Sequence, residues 1–354
     1  MWLRMANGSL SIGKIYGIEI ELHWTFILLI LFTLLISTLL FVLIILLFVC
    51  VLIHELAHSV TSLKNRISVK RIVLLPIGGA SIIDTEHIDP RVEFNIAIAG
   101  PIMSLVLGGI FGMFVIFTPP GTITQIFQFL FEINILLGVF NILPAFPMDG
   151  GRVLRSYLER RGNYFDATMK TIKASNYVMA LIIIGTIAYV AVTGYSLFYK
   201  EFIVLWDLII VMFLYSGAQG EKESVIMRKE TQGMRMSDIM TKRFLIVKPD
   251  ETVSQLYSKA KAVKEGIIIS RLGNQYFMVN VYGRRAKKAA YARDLLIPIP
   301  SVKPNTQIFE AMAKLGSSNM GVVVVEDRGR LLGIATSSQL HTLIELHLLS
   351  KKSR

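Results

Sequence analysis

The chain has 354 residues, is 53% hydrophobic with a mean hydropathy of +0.57, and still carries 18% charged residues. This excludes a water-soluble globule throughout, and it equally excludes a chain wholly immersed in lipid. The net charge is +12, and it is unevenly placed: residues 1–220 hold 14 Lys and Arg against 13 Asp and Glu, while residues 221–354 hold 23 against 12. The C-terminal excess suits an anionic membrane surface or anionic ligand. No Arg-rich helix or aromatic ladder accompanies it, so nucleic acid is set aside as a partner. A single cysteine, Cys50, excludes an internal disulfide and reads as a small buried apolar residue.

Met1 to Glu21 lacks the long apolar core of a cleavable signal peptide. From Trp24 to Ile53 no residue is charged, and 30 residues of helix would reach about 45 Å, more than one crossing of about 30 Å needs. The run from Leu22 to about Leu63 is therefore expected to hold two spans, with a reversal near Ser37-Thr38. It ends on His54-Glu55-Leu56-Ala57-His58. On a helix His54 and His58 are i,i+4 neighbours, so both imidazoles face one point and supply two ligands of a zinc ion. Glu55 points away from that face and suits a general base. The plainer reading is two interfacial histidines beside a chance glutamate. Burying three such groups against lipid with nothing to bind is costly.

Four further spans are expected at about 94–117, 126–143, 175–193 and 202–216, six in all. Glu132 and Asp207 lie within them and read as interfacial or helix-paired groups. Lys64, Arg66, Lys70, Arg71, Arg91, Arg152, Arg155, Arg160, Arg161, Lys170 and Lys173 fall in loops on one side, and the N-terminal segment adds Arg4 and Lys14; the opposite loops carry only Lys200. The positive-inside rule makes this a multi-pass cell-membrane protein with both termini and the His-Glu-x-x-His side cytoplasmic. A third ligand must then arrive from another span at that side and depth. The fourth span ends in Asn141-Ile142-Leu143-Pro144-Ala145-Phe146-Pro147-Met148-Asp149-Gly150-Gly151. Asp149 meets the requirement, and two His with one carboxylate leave the fourth zinc position open for water, as catalysis needs. The competing role for Asp149 is a cap on the helix that starts near Arg152.

These residues resemble the site-2 protease family of intramembrane zinc metalloproteases. His54, Glu55 and His58 match its H-E-x-x-H motif. Asn141, Pro144, Pro147, Asp149 and Gly150 match its N-x-x-P-x-x-P-x-D-G motif, with Met148 where Leu is frequent. Gly78-Gly79, Asn95 and Gly100-Pro101 are lesser marks, and the resemblance covers roughly 12–217. It implies a six-helix transmembrane domain holding one Zn2+ per chain and cleaving single-pass membrane proteins within their spans. A substrate helix must unwind to be cut, and its freed backbone needs partners away from lipid. Gly78 and Gly79 are candidates to receive it on a strand edge, and Asn141 to donate to it; ordinary loop packing is the alternative for each.

The last third is a different object. Val247-Lys248-Pro249 and Val302-Lys303-Pro304 recur 55 residues apart, each followed by an amphipathic helical stretch and then a β-rich run. This resembles a pair of CBS repeats over about 236–349, an α/β domain that implies adenine nucleotide (ATP or AMP) binding and homodimerisation. Asp294, Arg284 and Thr336 are the candidate nucleotide residues. Gln339 stands where the family usually has an acid. The expected domains are thus a six-helix transmembrane metalloprotease at 1–217, a linker at 218–235 and a cytoplasmic CBS-pair domain at 236–354. Two other readings are a transporter or channel with a regulatory domain and a catalytically silent scaffold. The clustering of ionisable groups at one depth disfavours the first, and two intact motifs disfavour the second.

Overall fold

In the computed structural model, which describes residues 5–6, 8–76, 78–83, 88–193, 197–263, 267–281, 289–316, 318, 320–340 and 342, the chain forms two compact units, 1–225 and 226–354. The first opens with strands that the sequence reading does not anticipate: β1 (Met5–Ala6), β2 (Ser9–Ile15) and β3 (Ile18–His23). Tyr16 and Gly17, both at positive φ, make the two-residue β2–β3 turn. β4 (Val69–Leu75) pairs in parallel with β3, and β5 (Gly78–Ile83) pairs antiparallel with β4, so β5 forms one edge of a five-stranded sheet ordered β1-β2-β3-β4-β5. Alternate residues Ile18, Ile20, Ile72 and Leu74 are buried on one face. They pack against Leu52 and Leu56, which flank and interrupt the His-Glu-x-x-His run.

Between β3 and β4 run α1 (Trp24–Ile36) and α2 (Thr38–Lys64), broken at Ser37, whose extended backbone (φ −162°, ψ 133°) makes the reversal expected near Ser37-Thr38. α3 (Pro90–Phe117) starts with the Asp89 side chain accepting from the Arg91 N–H and Pro90 in its first turn. α4 (Thr122–Ile142) lies against α3 through small residues: a Cβ on Gly138 would sit 2.8 Å from Leu105 and one on Gly108 2.8 Å from Ile135. α5 (Asp149–Glu159), α6 (Tyr164–Val192) and α7 (Leu197–Glu230) follow. Within their spans Glu132 accepts from Gln128 and Asp207 from Thr186, so both acids are helix-paired.

Among the described residues, five helices are long and apolar enough to cross a membrane. The sixth expected span, α1, has 13 residues, about 20 Å of helix against a core of about 30 Å. It is short because β3 takes the residues up to His23. α7 also departs from expectation, since 218–230 is helical where the sequence reading has a polar linker. Glu, Lys, Gln, Met and Ala are good helix formers, and Ala218 and Val225, seven apart, are buried on one face.

The second unit repeats one pattern. α8 (Met236–Ile239) precedes β6 (Leu245–Val247), α9 (Val253–Val263), β7 (Ile268–Leu272) and β8 (Gln275–Val279). A 3-10 turn at Ala292–Leu295 leads into β9 (Leu296–Pro298) and then β10 (Ser301–Val302), α10 (Ile308–Gly316), β11 (Val322–Asp327) and β12 (Arg330–Thr336). β6 pairs in parallel with β7 (Leu245↔Ile268), and β10 in parallel with β11 (Ser301↔Val324), the same separation along the chain. Each then returns antiparallel, giving sheets β6-β7-β8-β9 and β10-β11-β12.

Candidate metal centre

Two distant segments bring His54, His58 and Asp149 together, with one ligand-type atom from each within 4.8 Å of the others. His54 Nε2 and His58 Nε2 lie 3.2 and 3.1 Å from Asp149 Oδ2 and 3.2 Å from each other. Asp149 is not a side-chain cap. α5 begins at Asp149 itself, its N-cap residue Met148 makes no side-chain cap bond, and the carboxylate turns to the imidazoles. Burial works to raise the Asp149 carboxyl, but its hydrogen bonds to His54 and His58 outweigh this and hold it well below the usual carboxylate range.

The other ring nitrogens are tied back by α3. His58 Nδ1 lies 2.7 Å from the Ile96 carbonyl, so it carries the proton and leaves the Nε2 lone pair for a cation. His54 Nδ1 is 2.8 Å from Ser104 Oγ, and Ser104 is fully buried. Gly100, between them on α3, faces the rings so closely that a Cβ would lie 2.2 Å from His58 Nε2 and 2.6 Å from His54 Nε2. Two imidazoles held in place through their Nδ1 atoms, one ionised carboxylate and a glycine that clears the space fit a zinc ion. Ser104, the Ile96 carbonyl and Gly100 as spacer escape the sequence reading, because no local motif links α3 to a histidine 38 to 50 residues earlier.

Glu55, half-buried, lines the same cavity of about 710 Å³, as do Gly78, Gly79 and Asn141. A Cβ on Gly79 would sit 2.4 Å from Glu55 Cγ, so β5 approaches the glutamate as only glycine allows. Gly78 has φ +136°, where a side chain is strained. Asn141 donates to the Leu137 carbonyl at 2.9 Å, leaving its second amide N–H uncommitted to that bond. Cys50, one turn before His54, is buried and accepts from Asn134 at 3.2 Å.

Buried Arg155 of α5 is ion-paired to Glu93 of α3 and, at 2.9 Å, to Glu221 of α7. It also stacks within 5.4 Å of the Phe146 and 5.0 Å of the Tyr164 ring centres. Burial works against its charge, and Glu93 leads the groups that more than offset this, raising the guanidinium further above its ordinary range. Of the nucleotide candidates, Asp294 accepts from the Ala290 and Tyr291 N–H groups. Thr336 and Gln339 form a reciprocal capping box. Arg284 lies outside the described residues.

A polytopic helical domain in which two histidines and an aspartate converge beside a glutamate is the arrangement of a membrane metallopeptidase, and the family profile and a curated relative agree. The profile of Peptidase family M50 matches residues 42–125 and 118–186, and the CBS domain profile matches 292–345. Zinc metalloprotease MJ0392 of Methanocaldococcus jannaschii is 31% identical over 357 residues, 94% of this chain and 95% of the relative. Stage IV sporulation protein FB of Bacillus subtilis is 33% identical over 109 residues, 29% of this chain and 36% of that protein. The solved site-2 protease of Methanocaldococcus jannaschii aligns with 60% of this chain and 95% of its own, at 32% identity and a TM-score of 0.45. The chain belongs to peptidase family M50, the site-2 proteases, as a multi-pass zinc metalloprotease with a C-terminal CBS domain.

Proposed function

We propose that the chain is an endopeptidase that hydrolyses a peptide bond within the membrane-embedded segment of a protein substrate, with His54, His58 and Asp149 as the ligands of one zinc ion and Glu55 as the general base. The observation that carries this reading is the convergence of the three side chains with both Nδ1 atoms tied to α3, which pre-orients both Nε2 atoms before any ion binds. When bound, zinc supplies a Lewis acid that polarises the scissile carbonyl and makes water acidic enough to lose a proton near neutral pH. Glu55 takes that proton and returns it to the leaving amide nitrogen. Gly79 holds the edge strand against Glu55, so a substrate strand added to β5 passes beside the base. The second Asn141 N–H is available to that extended backbone. A helical substrate presents its carbonyls already hydrogen-bonded, and an edge strand replaces those bonds as the helix unwinds.

The basic loops support a cytoplasmic side for this centre and for both termini. Single-pass membrane proteins are the substrate class. The CBS repeats are the regulatory part, acting through adenine nucleotide or through dimerisation. ATP-dependent change in the cleavage rate supports that role, and calorimetry without adenine nucleotide binding removes the nucleotide branch. Metal analysis of the detergent-purified full chain tests the centre: about one zinc per chain in wild type, sharply less in Asp149→Ala, and full zinc without cleavage in Glu55→Gln. Wild type free of zinc after metal-replete purification overturns the reading.

A further inference from the structure

The cavity wall contains a cation that the proposed reaction does not use. Arg152 lies one helical turn after Asp149 on α5, shares its face, and lines the cavity with it. The neighbouring arginines are engaged. Arg155 is paired with Glu93 and Glu221, Arg160 lies 4.8 Å over the Phe94 ring, and Arg161 lies 5.3 Å over the Tyr157 ring. Arg152 is exposed and has no hydrogen bond, ion pair or ring contact among the described residues.

No acid of the wall pairs with Arg152 among the described residues. The wall's other charged groups are Glu55, Glu93 and Asp149, beside the two histidines. Glu93 is ion-paired to Arg155, which it shares with Glu221. A dication held by His54, His58 and Asp149 would balance the Asp149 and Glu55 carboxylates. The cation of the wall without a partner among the described residues is the Arg152 guanidinium, a planar fork matched to a carboxylate, in a concave site.

We propose that Arg152 is a specificity-determining residue that pairs with a carboxylate of the bound substrate, either an Asp or Glu side chain near the scissile bond or the carboxylate at the end of a chain already cut. This rests on the cavity receiving an extended peptide, as proposed above. Carboxylate and guanidinium would meet in a concave site beside the triad, where a charge-assisted, two-pronged contact selects more strongly than a pair on a flat surface.

The test measures binding rather than turnover. Full-length Glu55→Gln protein, zinc-loaded in detergent, is titrated by fluorescence anisotropy with short dye-labelled apolar peptides. One series moves a single Asp along the peptide, with Asn at the same positions as control. A second compares a free C-terminal acid with its amide. The expected result is a preference of about tenfold for the acid at one position or at the terminus, which also tells the two carboxylate sources apart. Arg152→Gln, with zinc content unchanged, removes the preference; Arg152→Lys keeps part of it; Arg152→Glu inverts it toward Lys-bearing peptides. Acid and neutral peptides binding alike at every position, or a preference that survives Arg152→Gln, overturns the assignment while the protease reading stands. Zinc-loaded protein that binds none of the peptides overturns the peptide cleft and the assignment together.

Discussion

Gly100→Ala is the sharpest perturbation of the centre, because it adds one methyl group and removes no ligand. Its Cβ would stand 2.2 Å from His58 Nε2, 2.6 Å from His58 Cε1 and 2.6 Å from His54 Nε2, where ordinary contact begins at 3.4 Å. The His58 ring must therefore retreat by roughly 1 Å, against the 2.7 Å bond that anchors its Nδ1 to the Ile96 carbonyl. Zinc sites tolerate ligand displacements of only about 0.2 Å from ideal distances. Removing a group that merely orients a ligand costs about 10- to 100-fold in affinity, so displacing both imidazoles should cost at least about 100-fold. Purified wild type and variant would be equilibrated against buffered zinc and their metal measured, with helical content checked by circular dichroism. A folded Gly100→Ala protein binding zinc within about threefold of wild type would refute the reasoning and place the ion elsewhere.

Gly79→Ala separates base from metal: the three atoms nearest its Cβ all belong to Glu55, Cγ at 2.4 Å, so zinc should be retained while kcat falls by about 100-fold or more. Arg155→Ala leaves Glu93 and Glu221 without their buried partner and should destabilise the first unit by about 3–5 kcal/mol, read as a lower Tm in detergent. In the second unit, the Lys248 N–H and then Lys259 hold the Glu251 carboxyl below its ordinary range. A carboxylate lowered on folding stabilises above its unfolded pKa, and that stabilisation is lost as pH falls through the folded value. Glu251→Gln should therefore cost about 0.5 kcal/mol at neutral pH, and its thermal unfolding should converge with that of wild type as the medium becomes acidic.

His54, Glu55, His58 and Asp149 are legible in the sequence because their chemistry rides on local spacing. An i,i+4 pair shares a helix face wherever that helix lies, and a Pro-rich break beside an acid announces irregular backbone at membrane depth. The reversal at Ser37 follows from length alone, since 30 uncharged residues exceed one crossing. The N-terminal strands are not legible: β3 is held by parallel pairing with β4, about 50 residues later, and short mixed segments carry little period of their own. Likewise α7 runs through 218–230 because helix-forming side chains continue one apolar face, although their polarity reads as a linker.

The sequence by itself marked His54, His58 and Asp149 as a candidate metal site and determined the membrane setting and the repeated character of the C-terminal part, since each is written in composition or in short motifs. Only the tertiary structure decided that α3 orients both histidines through Ser104 and Ile96, and that Gly100 and Gly79 clear space for the imidazole rings and the Glu55 side chain. It also decided that Arg152, unlike Arg155, Arg160 and Arg161, lines the cavity without a partner among the described residues. Those facts join residues tens of positions apart, and the relative rotation and depth of packed helices, which no local spacing encodes, bring them into contact.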